Sequence, residues 1–526
     1  MSRNSGGLAA TLIGGVVSSL LCVLLAQIAG GLPESVVETL LGATPEALHP
    51  YLSELGNGFH HDLNTDDMPT AAFLVVQFAL WLVMWSTGWH LLSRPATPAV
   101  LVSILGFAVL FRAILIPAIP IHASDFYRYL WDGKSTVHGV NPYLYEPAAV
   151  MLREARIEKP TEIEEHIYQG RTWTPADEGH LSVLTSLRDE GRLLHDRITA
   201  PYLLTSSPPL AQGFFALSNF LFQDSVLALK LIITAFDLGV VVLLLRLLRR
   251  LGMRRSGVIF YAWSPLVLVS FANSAHYDAI PVFFLFLAIS LALRRKNLGG
   301  AVAVAAAGLT SLCALVFTPV MFRRSWRHVL IYLFIAACVA AAFTPFVIWQ
   351  KPGISHLVVA MIGADPDAPN LAGVFLGVER ACATLVSPPD ERHFLARLVC
   401  GLLFLIFLIW HSLTQTADHR SLLRKCSWVA GALFLFSSSS APWQLTWMVP
   451  FLCAFPRPSW LILMFTIQAF FLQFQTDYGH FGLVAGTIPL INLVIWGLFF
   501  FLWLLDPLLL RLIDRPESVS DPALPS

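Results

Sequence analysis

The chain is dominated by apolar runs of about 20 residues, the length an α-helix needs to cross the hydrocarbon core of a bilayer. Twelve can be marked off, near 9–30, 70–93, 98–119, 226–248, 256–273, 277–294, 328–348, 395–413, 426–440, 441–456, 458–475 and 482–505. In hydrocarbon every backbone N–H and C=O needs a partner within the protein, so such runs fold as helices. The expected fold class is an all-α polytopic membrane protein of about 12 transmembrane helices. Composition agrees, with 56% of the 526 residues hydrophobic and 13% charged, against about 25% charge in a soluble domain. A net charge of zero removes the electrostatic footprint of a nucleic-acid binder. The seven cysteines contain no CxxC pair and read as small hydrophobes, not as a disulfide frame or zinc site. The first run follows one Arg and lacks an A-x-A site, so it is expected to stay as the first helix.

Basic clusters orient the runs. Arg246, Arg249, Arg250, Arg254 and Arg255 lie between two of them, as do Arg294–Lys296, Arg323–Arg327 and Arg420–Lys425. The positive-inside rule puts these clusters, and both termini, in the cytoplasm. Segment 298–322, basic at both ends, is then a hairpin of two short helices, and 209–223 is a half-inserted or interfacial helix. The expected division is N-terminal spans over 1–119, a non-cytoplasmic catalytic loop over 120–208, and a central core over 209–348. A non-cytoplasmic loop over 349–394, C-terminal spans over 395–510 and a cytoplasmic tail over 511–526 follow. Within the catalytic loop, 148–200 carries two charged helical patterns, about 150–169 and 176–196, expected to cap the membrane face. No internal repeat of 20–50 residues is visible.

The polar chemistry concentrates in HASDFYRYLWDGKSTVHGVNPYLYEP, residues 122–147. Polar groups at a membrane boundary are expensive to place and mark a site by default. Ser124 is placed to cap a helix with Asp125 in its first turn. Asp125, Arg128, Tyr129 and Asp132 then share one face by their spacing. A carboxylate held beside a cation keeps its charge and accepts a proton from a hydroxyl, and a solvated Asp–Arg pair is the plain alternative. Gly133, Gly139 and Asn141-Pro142-Tyr143 are turn chemistry, with a loop hinge as their bland reading. Arg112, buried in the third run, is either a phosphate ligand or the structural partner of Asp237. His276 and Asp278 either face a ligand or belong to a helix cap supplied by Asn273 or Ser274. Trp443, Gln444 and Trp447 stack on a sugar or form an interfacial aromatic belt. Asp477–His480 reads as an outer turn.

Four of these stretches resemble a known group. Asp125-x-x-Arg128-Tyr129-x-Trp131-Asp132-Gly133, with Gly139-x-Asn141-Pro142-Tyr143, looks like the first loop of GT-C superfold glycosyltransferases that use polyprenyl-phosphate sugars. It most resembles the bacterial mannosyltransferase-like branch labelled glycosyltransferase family 87, or DUF2029. Asp196-Arg197-Ile198-Thr199 followed by Ser207-Pro208-Pro209-Leu210-Ala211-Gln212 is similar to that group's Tyr-Pro-Pro-Leu-Ala-Gln. Ala275-His276-Tyr277-Asp278-Ala279 looks like its Gly-His-Asn-Asp-Ala, and Ala441-Pro442-Trp443-Gln444 like its late Pro-Trp-Tyr. The matches run in order from about 120 to 450.

This resemblance implies a GT-C-like bundle with re-entrant short helices and inverting transfer of a hexose, with mannose the leading expectation. The donor is a polyprenyl-phosphate sugar, the acceptor an envelope glycan or glycolipid, and the active face non-cytoplasmic in the inner or plasma membrane. The general-base role of the first-loop Asp carries over to Asp125. Arg128, His276, Lys134 and Arg197 are the expected donor-phosphate ligands. His122, Tyr129, Asp132, Asn141, Tyr143, Ser207, Asp278, Trp443 and Gln444 are the expected substrate contacts. No metal ligand is assigned, although a divalent cofactor, Mg or Mn, stays open around Asp125, His276 and Asp278. Three departures bear on the reading: Ser207 stands for Tyr, Tyr277 for Asn, and 298–322 lacks the Lys often found there. Nothing resembles a nucleotide-sugar fold. The rival from another class is a transporter or flippase of a lipid-linked sugar, disfavoured by the absent inverted repeat and by charges gathered on one face. A structural subunit of an envelope complex is the third reading.

Overall fold

A computed structural model describes residues 2–29, 70–121, 123–151, 175–322, 326–350, 373–414, 418–438, 440–472 and 488–513. Among these residues every regular element is helical. Helices α1 (Ser2–Ile28), α2 (Thr70–Leu92) and α3 (Pro98–Leu115) open the chain. Residues 120–208 contain α4 (Asp125–Val137), α5 (Pro175–Glu190) and the short α6 (Arg192–His195), and α7 (Pro209–Leu221) and the long α8 (Val226–Arg250) follow. A bent pair, α9 (Arg255–Ala262) and α10 (Pro265–Asn273), leads into α11 (Ala279–Ala292). Then come α12 (Asn297–Thr310), α13 (Leu312–Met321), α14 (Trp326–Gln350), α15 (Gly373–Cys382), α16 (Pro389–Leu413) and α17 (His419–Phe436). Helices α18 (Pro458–Thr466) and α19 (Ile488–Ile513) close the described chain.

Seven of these are long and apolar enough to cross a membrane: α1, α2, α3, α8, α14, α16 and α19; counting the bent pair as one span makes eight. The remaining apolar runs fold into shorter pieces, for a local reason. Pro442, Pro450 and Pro458 each sit in the first turn of a short element (Pro442–Trp447, Val449–Leu452 and α18), because proline lacks the N–H an uninterrupted helix would need there. Pro265 does the same at the start of α10, where the Ser264 hydroxyl accepts the Val267 N–H and the chain bends by 47°. Residues 298–322 form two short helices, α12 and α13, which pack on each other. The 209–223 helix is α7, 13 residues long. Of the two helical patterns in the insert, the second is α5 and α6; nearly all of the first, and Asp477–His480, lie outside the described residues.

Two buried polar clusters fix the frame around the site. Arg112 on α3 is closed off by Asp237 on α8, Nε to Oδ2 at 2.5 Å and Nη2 to Oδ1 at 3.1 Å. Its Nη1 also donates to the Ala108 and Ala262 carbonyls. With both side chains at most 1% exposed, this is the structural pairing, not a phosphate ligand. Lys230 on α8 donates its ammonium to the carbonyls of Ile116 and Ala118 just past the end of α3, at 3.2 and 2.6 Å. Cations satisfy helix C-terminal carbonyls well, and this one anchors the link that runs into α4.

Helix α4 buries Trp131, Asp132, Gly133, Lys134 and Ser135 together, which turns its back to protein. Gly133 is therefore not turn chemistry, as the sequence suggested. It lies mid-helix where α4 crosses α7, and a Cβ there would stand 2.3 Å from the Phe215 carbonyl oxygen. Gly139 is a turn residue, at φ +79°. The insert seats on α4 through Trp131, edge-on to His195 at 4.9 Å, while α5 buries Leu181, Leu184 and Leu187.

Candidate functional site

The site begins where the link after α3 meets the end of α10. The last turn of α10, Leu268–Asn273, is widened to π-helical spacing, a distortion common at functional sites. It aims Asn273 at the link: Asn273 Oδ1 accepts the Ile121 N–H at 2.8 Å and Nδ2 donates to the Ile119 carbonyl at 2.9 Å. Ser274 Oγ donates to the Ile121 carbonyl at 3.2 Å. Neither residue caps α11. Together they staple the chain just before Asp125 to the chain just before His276. Ala275 between them takes φ +59°, a left-handed conformation that a residue with a Cβ adopts at some cost. The resembled motif has Gly here, for which that conformation carries no penalty.

This staple brings Asp125 and His276 together. His276 Nδ1 lies 3.4 Å from Asp125 Oδ2, within ionic reach though not aligned as a hydrogen bond. The imidazole is buried, and loss of water holds its pKa down to about 3, so the ring is neutral at pH 7. Its face lies on Trp443, with centroids 4.1 Å apart and planes at 14°, and Trp443 is braced edge-on by Phe470 at 5.6 Å. Asp125 itself is 40% accessible but ringed by protein, and this desolvation raises its carboxyl to about 6.

Asp278 itself takes the N-cap position of α11, without a side-chain capping bond, so the cap expected from Asn273 or Ser274 is absent while the carboxyl still sits at the helix N-terminus. Its Oδ1 accepts the Trp447 Nε1–H at 2.8 Å. Burial raises its carboxyl to about 6, the Trp447 bond opposes that rise, and the Asp125 charge adds to it. Trp447 is 7% exposed, so it packs inside the protein and is not part of a lipid-facing aromatic belt. Tyr129 stands among these acids, stacked on Phe215 at 4.7 Å and edge-on to Tyr277 at 5.2 Å. Burial, then Asp125 and its neighbours, push its hydroxyl pKa well up. Tyr277 is within hydrogen-bonding reach of the Ser207 side chain, and Cys313, accessible at the start of α13, is within electrostatic reach of Asp278. No sequence signal pointed to Cys313, because nothing local ties the α12–α13 turn to α11.

The structure reassigns other expected site residues. Arg128 does not pair with Asp125. Its Nε binds Asp132 Oδ1 at 2.8 Å and its Nη1 the Leu203 carbonyl at 2.7 Å, leaving Nη2 buried without a partner. Asp132 is 1% exposed and also accepts Gln212 Nε2 at 3.1 Å, while Gln212 bonds Thr205; this is a structural knot between α4 and α7. Lys134 is taken by Asp224 at 2.7 Å, so it is not free for a phosphate. Arg197 donates to Tyr127 at 3.0 Å and lies over its ring. Ser124 makes no capping bond and accepts the Thr199 hydroxyl instead. Asn141 closes its own turn on the Tyr143 N–H and donates to the Phe346 carbonyl, and Tyr143 donates to the Ser207 carbonyl; the loop reading holds for these two. Gln444 turns back on the Ala441 N–H. His122 lies outside the described residues.

Seven helices long and apolar enough to cross a bilayer make the chain a membrane protein in class. Residues 209–325 match the N-terminal domain of the alpha-(1->6)-mannopyranosyltransferase family. The matched stretch is less than a quarter of the chain and includes His276, Tyr277, Asp278 and Cys313, but not Asp125. With the apolar helices it supports a membrane mannosyltransferase, hence a glycosyltransferase with a sugar donor and an acceptor. No curated protein and no solved structure matches.

Proposed function

We propose that the chain transfers mannose from a polyprenyl-phosphate donor to an envelope glycan or glycolipid acceptor, with inversion and with Asp125 as general base. The observation that carries this reading is the Asp125 carboxyl itself. It is 40% accessible, faces a neutral imidazole rather than a cation, and has its pKa raised to about 6 by desolvation. A general base works best with a pKa near the operating pH. Asp125 takes the acceptor hydroxyl proton, the oxygen attacks the anomeric carbon, and the bond to the phosphate oxygen breaks, releasing the polyprenyl phosphate. Arg128 Nη2, buried and unpartnered, is the donor N–H for that phosphate, since an orphaned guanidinium N–H gains a charge-assisted bond there. His276, being neutral, contributes orientation and at most one N–H.

The same reading places the chain in the GT-C superfold, with about twelve transmembrane helices, re-entrant short helices and likeness to the family 87 branch. Residues 120–208 then form the catalytic loop on the non-cytoplasmic face, with both termini in the cytoplasm. The basic clusters after α8, α11 and α13 support that orientation. Among the described residues no group of three or more His, Cys, Asp or Glu converges to hold a metal ion, and no step is routed through Mg or Mn.

The test is transfer from radiolabelled polyprenyl-phosphate mannose by purified protein, with Asp125→Asn compared at equal folded yield. A loss of about 10²–10⁴-fold is expected. Equal turnover by the variant removes Asp125 from the role. Movement of the lipid across a vesicle bilayer without transfer overturns the enzymatic reading in favour of a flippase.

A further inference from the structure

We infer that Arg424 and Arg457 form a binding site for the phosphate of an anionic phospholipid, at the end of the helix bundle away from Asp125. The inference rests on the membrane class of the chain and on no step of the transfer reading. Arg424 and Trp428 stand one turn apart on the same face of α17. Phe455 and Arg457 stand two residues apart in the turn that leads into α18. The two pairs cross. The Arg424 guanidinium lies over the Phe455 ring at 5.2 Å, and the Arg457 guanidinium over the Trp428 ring at 4.4 Å. Each segment seats the other's cation, so packing holds both arginines at one seam.

A ring contact steadies a guanidinium but fills none of its N–H donors. Among the described residues neither Arg424 nor Arg457 donates a side-chain hydrogen bond. The carboxyls within electrostatic reach are Asp418 for Arg424 and Asp506 for Arg457. Both are taken: Asp418 accepts the Ser421 N–H at 2.8 Å, and Asp506 accepts the Ser459 N–H at 3.1 Å and its hydroxyl at 2.6 Å. Neighbouring bases serve the fold instead. Arg420 donates to the Leu251 and Gly252 carbonyls, Lys425 to those of His411 and Thr414, and Arg250 to that of Leu293. These bonds gather the ends of α8, α11, α16 and α17 at one level, which adds to the positive potential there. Two adjacent guanidiniums with open donors suit a phosphate, which takes charge-assisted bonds from arginine.

The flanking surfaces make that phosphate a lipid's. Helix α16 exposes Trp410 and Leu413 up to the turn that Lys425 holds, and α19 exposes Leu504 and Leu508 on either side of Asp506. All four are more than half exposed, and apolar faces of this kind on a membrane protein lie against acyl chains. The apolar cover stops at the level of the arginines, where a lipid carries its phosphate and where basic pockets between helices bind anionic head groups. The far end of α17 leads to Trp443, so Arg424 stands about 18 Å along the helix from the end that serves His276.

The experiment places full-length protein in nanodiscs of equal parts phosphatidylglycerol and phosphatidylcholine, extracts it into detergent, and counts the retained lipids by native mass spectrometry. Wild type should retain phosphatidylglycerol over phosphatidylcholine by at least about tenfold. Arg424→Gln with Arg457→Gln should remove most of that preference. Arg246→Gln with Arg249→Gln, two exposed bases of α8 outside the seam, should leave it unchanged. If the seam double variant does not fold, Arg424→Gln alone, at an exposed position, should still lower the preference severalfold. A wild-type ratio near one overturns the inference. So does an equal loss in the α8 variant, which would trace the preference to charge spread over this end of the bundle. Thermal melts in phosphatidylcholine nanodiscs separate the two phosphate sources: stabilisation by inorganic phosphate as large as that by phosphatidylglycerol overturns the lipid assignment.

Discussion

The imidazole of His276 lies flat on the indole of Trp443, centroids 4.1 Å apart, with Nδ1 3.4 Å from Asp125 Oδ2. One contact fixes the plane of the ring and the other gives that plane a purpose. The stack joins the 274–278 turn to the Pro442–Trp447 element, which are far apart in sequence. Orientation at Asp125 therefore depends on how two distant short segments pack.

Removing the platform should loosen that orientation. Stacked aromatic pairs contribute about 0.5–1.5 kcal/mol beyond their area, so Trp443→Ala should lower kcat by about tenfold while Trp443→Phe restores most of it. Steady-state kinetics on both variants decides this. An unchanged kcat in Trp443→Ala shows that the stack is packing alone.

The Asp125 and Asp278 carboxyls tie stability to pH. Their folded pKa values, about 6, lie above the ordinary carboxylate value, so folding favours the protonated forms. Their contribution to stability is fully present below about pH 4 and lost as pH rises through about 6. Wild type should therefore melt at a lower temperature at pH 7.5 than at pH 5, and Asp278→Asn should reduce that difference. Activity should move the opposite way, with kcat/KM rising through about pH 6 as Asp125 deprotonates. Thermal melts and a pH–rate profile of the same preparation test both limbs.

Gly133 is the contact point of α4 and α7. Its substitution by Ala puts a methyl group 2.3 Å from the Phe215 carbonyl oxygen, which is backbone and cannot swing aside. Such overpacking costs about 1–3 kcal/mol and disturbs the Asp132–Gln212 bond next to it. Gly133→Ala should lower the melting temperature and the transfer rate together. A variant with wild-type stability would show that the helices separate freely.

The Arg112–Asp237 pair answers differently to one change and to two. Asp237→Ala leaves a buried guanidinium unpaired, at a cost of about 3–5 kcal/mol, and should abolish folded protein on size-exclusion chromatography. Arg112→Met with Asp237→Leu removes both charges and should restore folded yield. Failure of the double variant would mean the pair does more than neutralise itself.

Much was legible in the chain because it depends on local rules. Apolar run length and charge placement called for a helical membrane protein, since an unpaired backbone cannot sit in lipid. The polar residues of 122–147 and 275–279 stood out because polar groups at a bilayer boundary are costly. Arg112 and Asp237 had each other as the plausible pair, both lying in apolar runs. Proline positions, which apolar run length does not register, are what divide 441–456 into short helices.

Tertiary structure decided the partners. Arg128 had carboxylates at both i−3 and i+4, and the choice of Asp132 follows from α7 supplying Gln212 behind it. Lys134 found Asp224 90 residues away, and Trp447 reached back 169 residues to Asp278. Helix periodicity fixes which side chains share a face, but not which distant element covers that face. Covering elements determine desolvation, and desolvation sets the pKa values of Asp125, His276 and Asp278. The residue types of the site belong to the sequence, while their charge states belong to the packing around them.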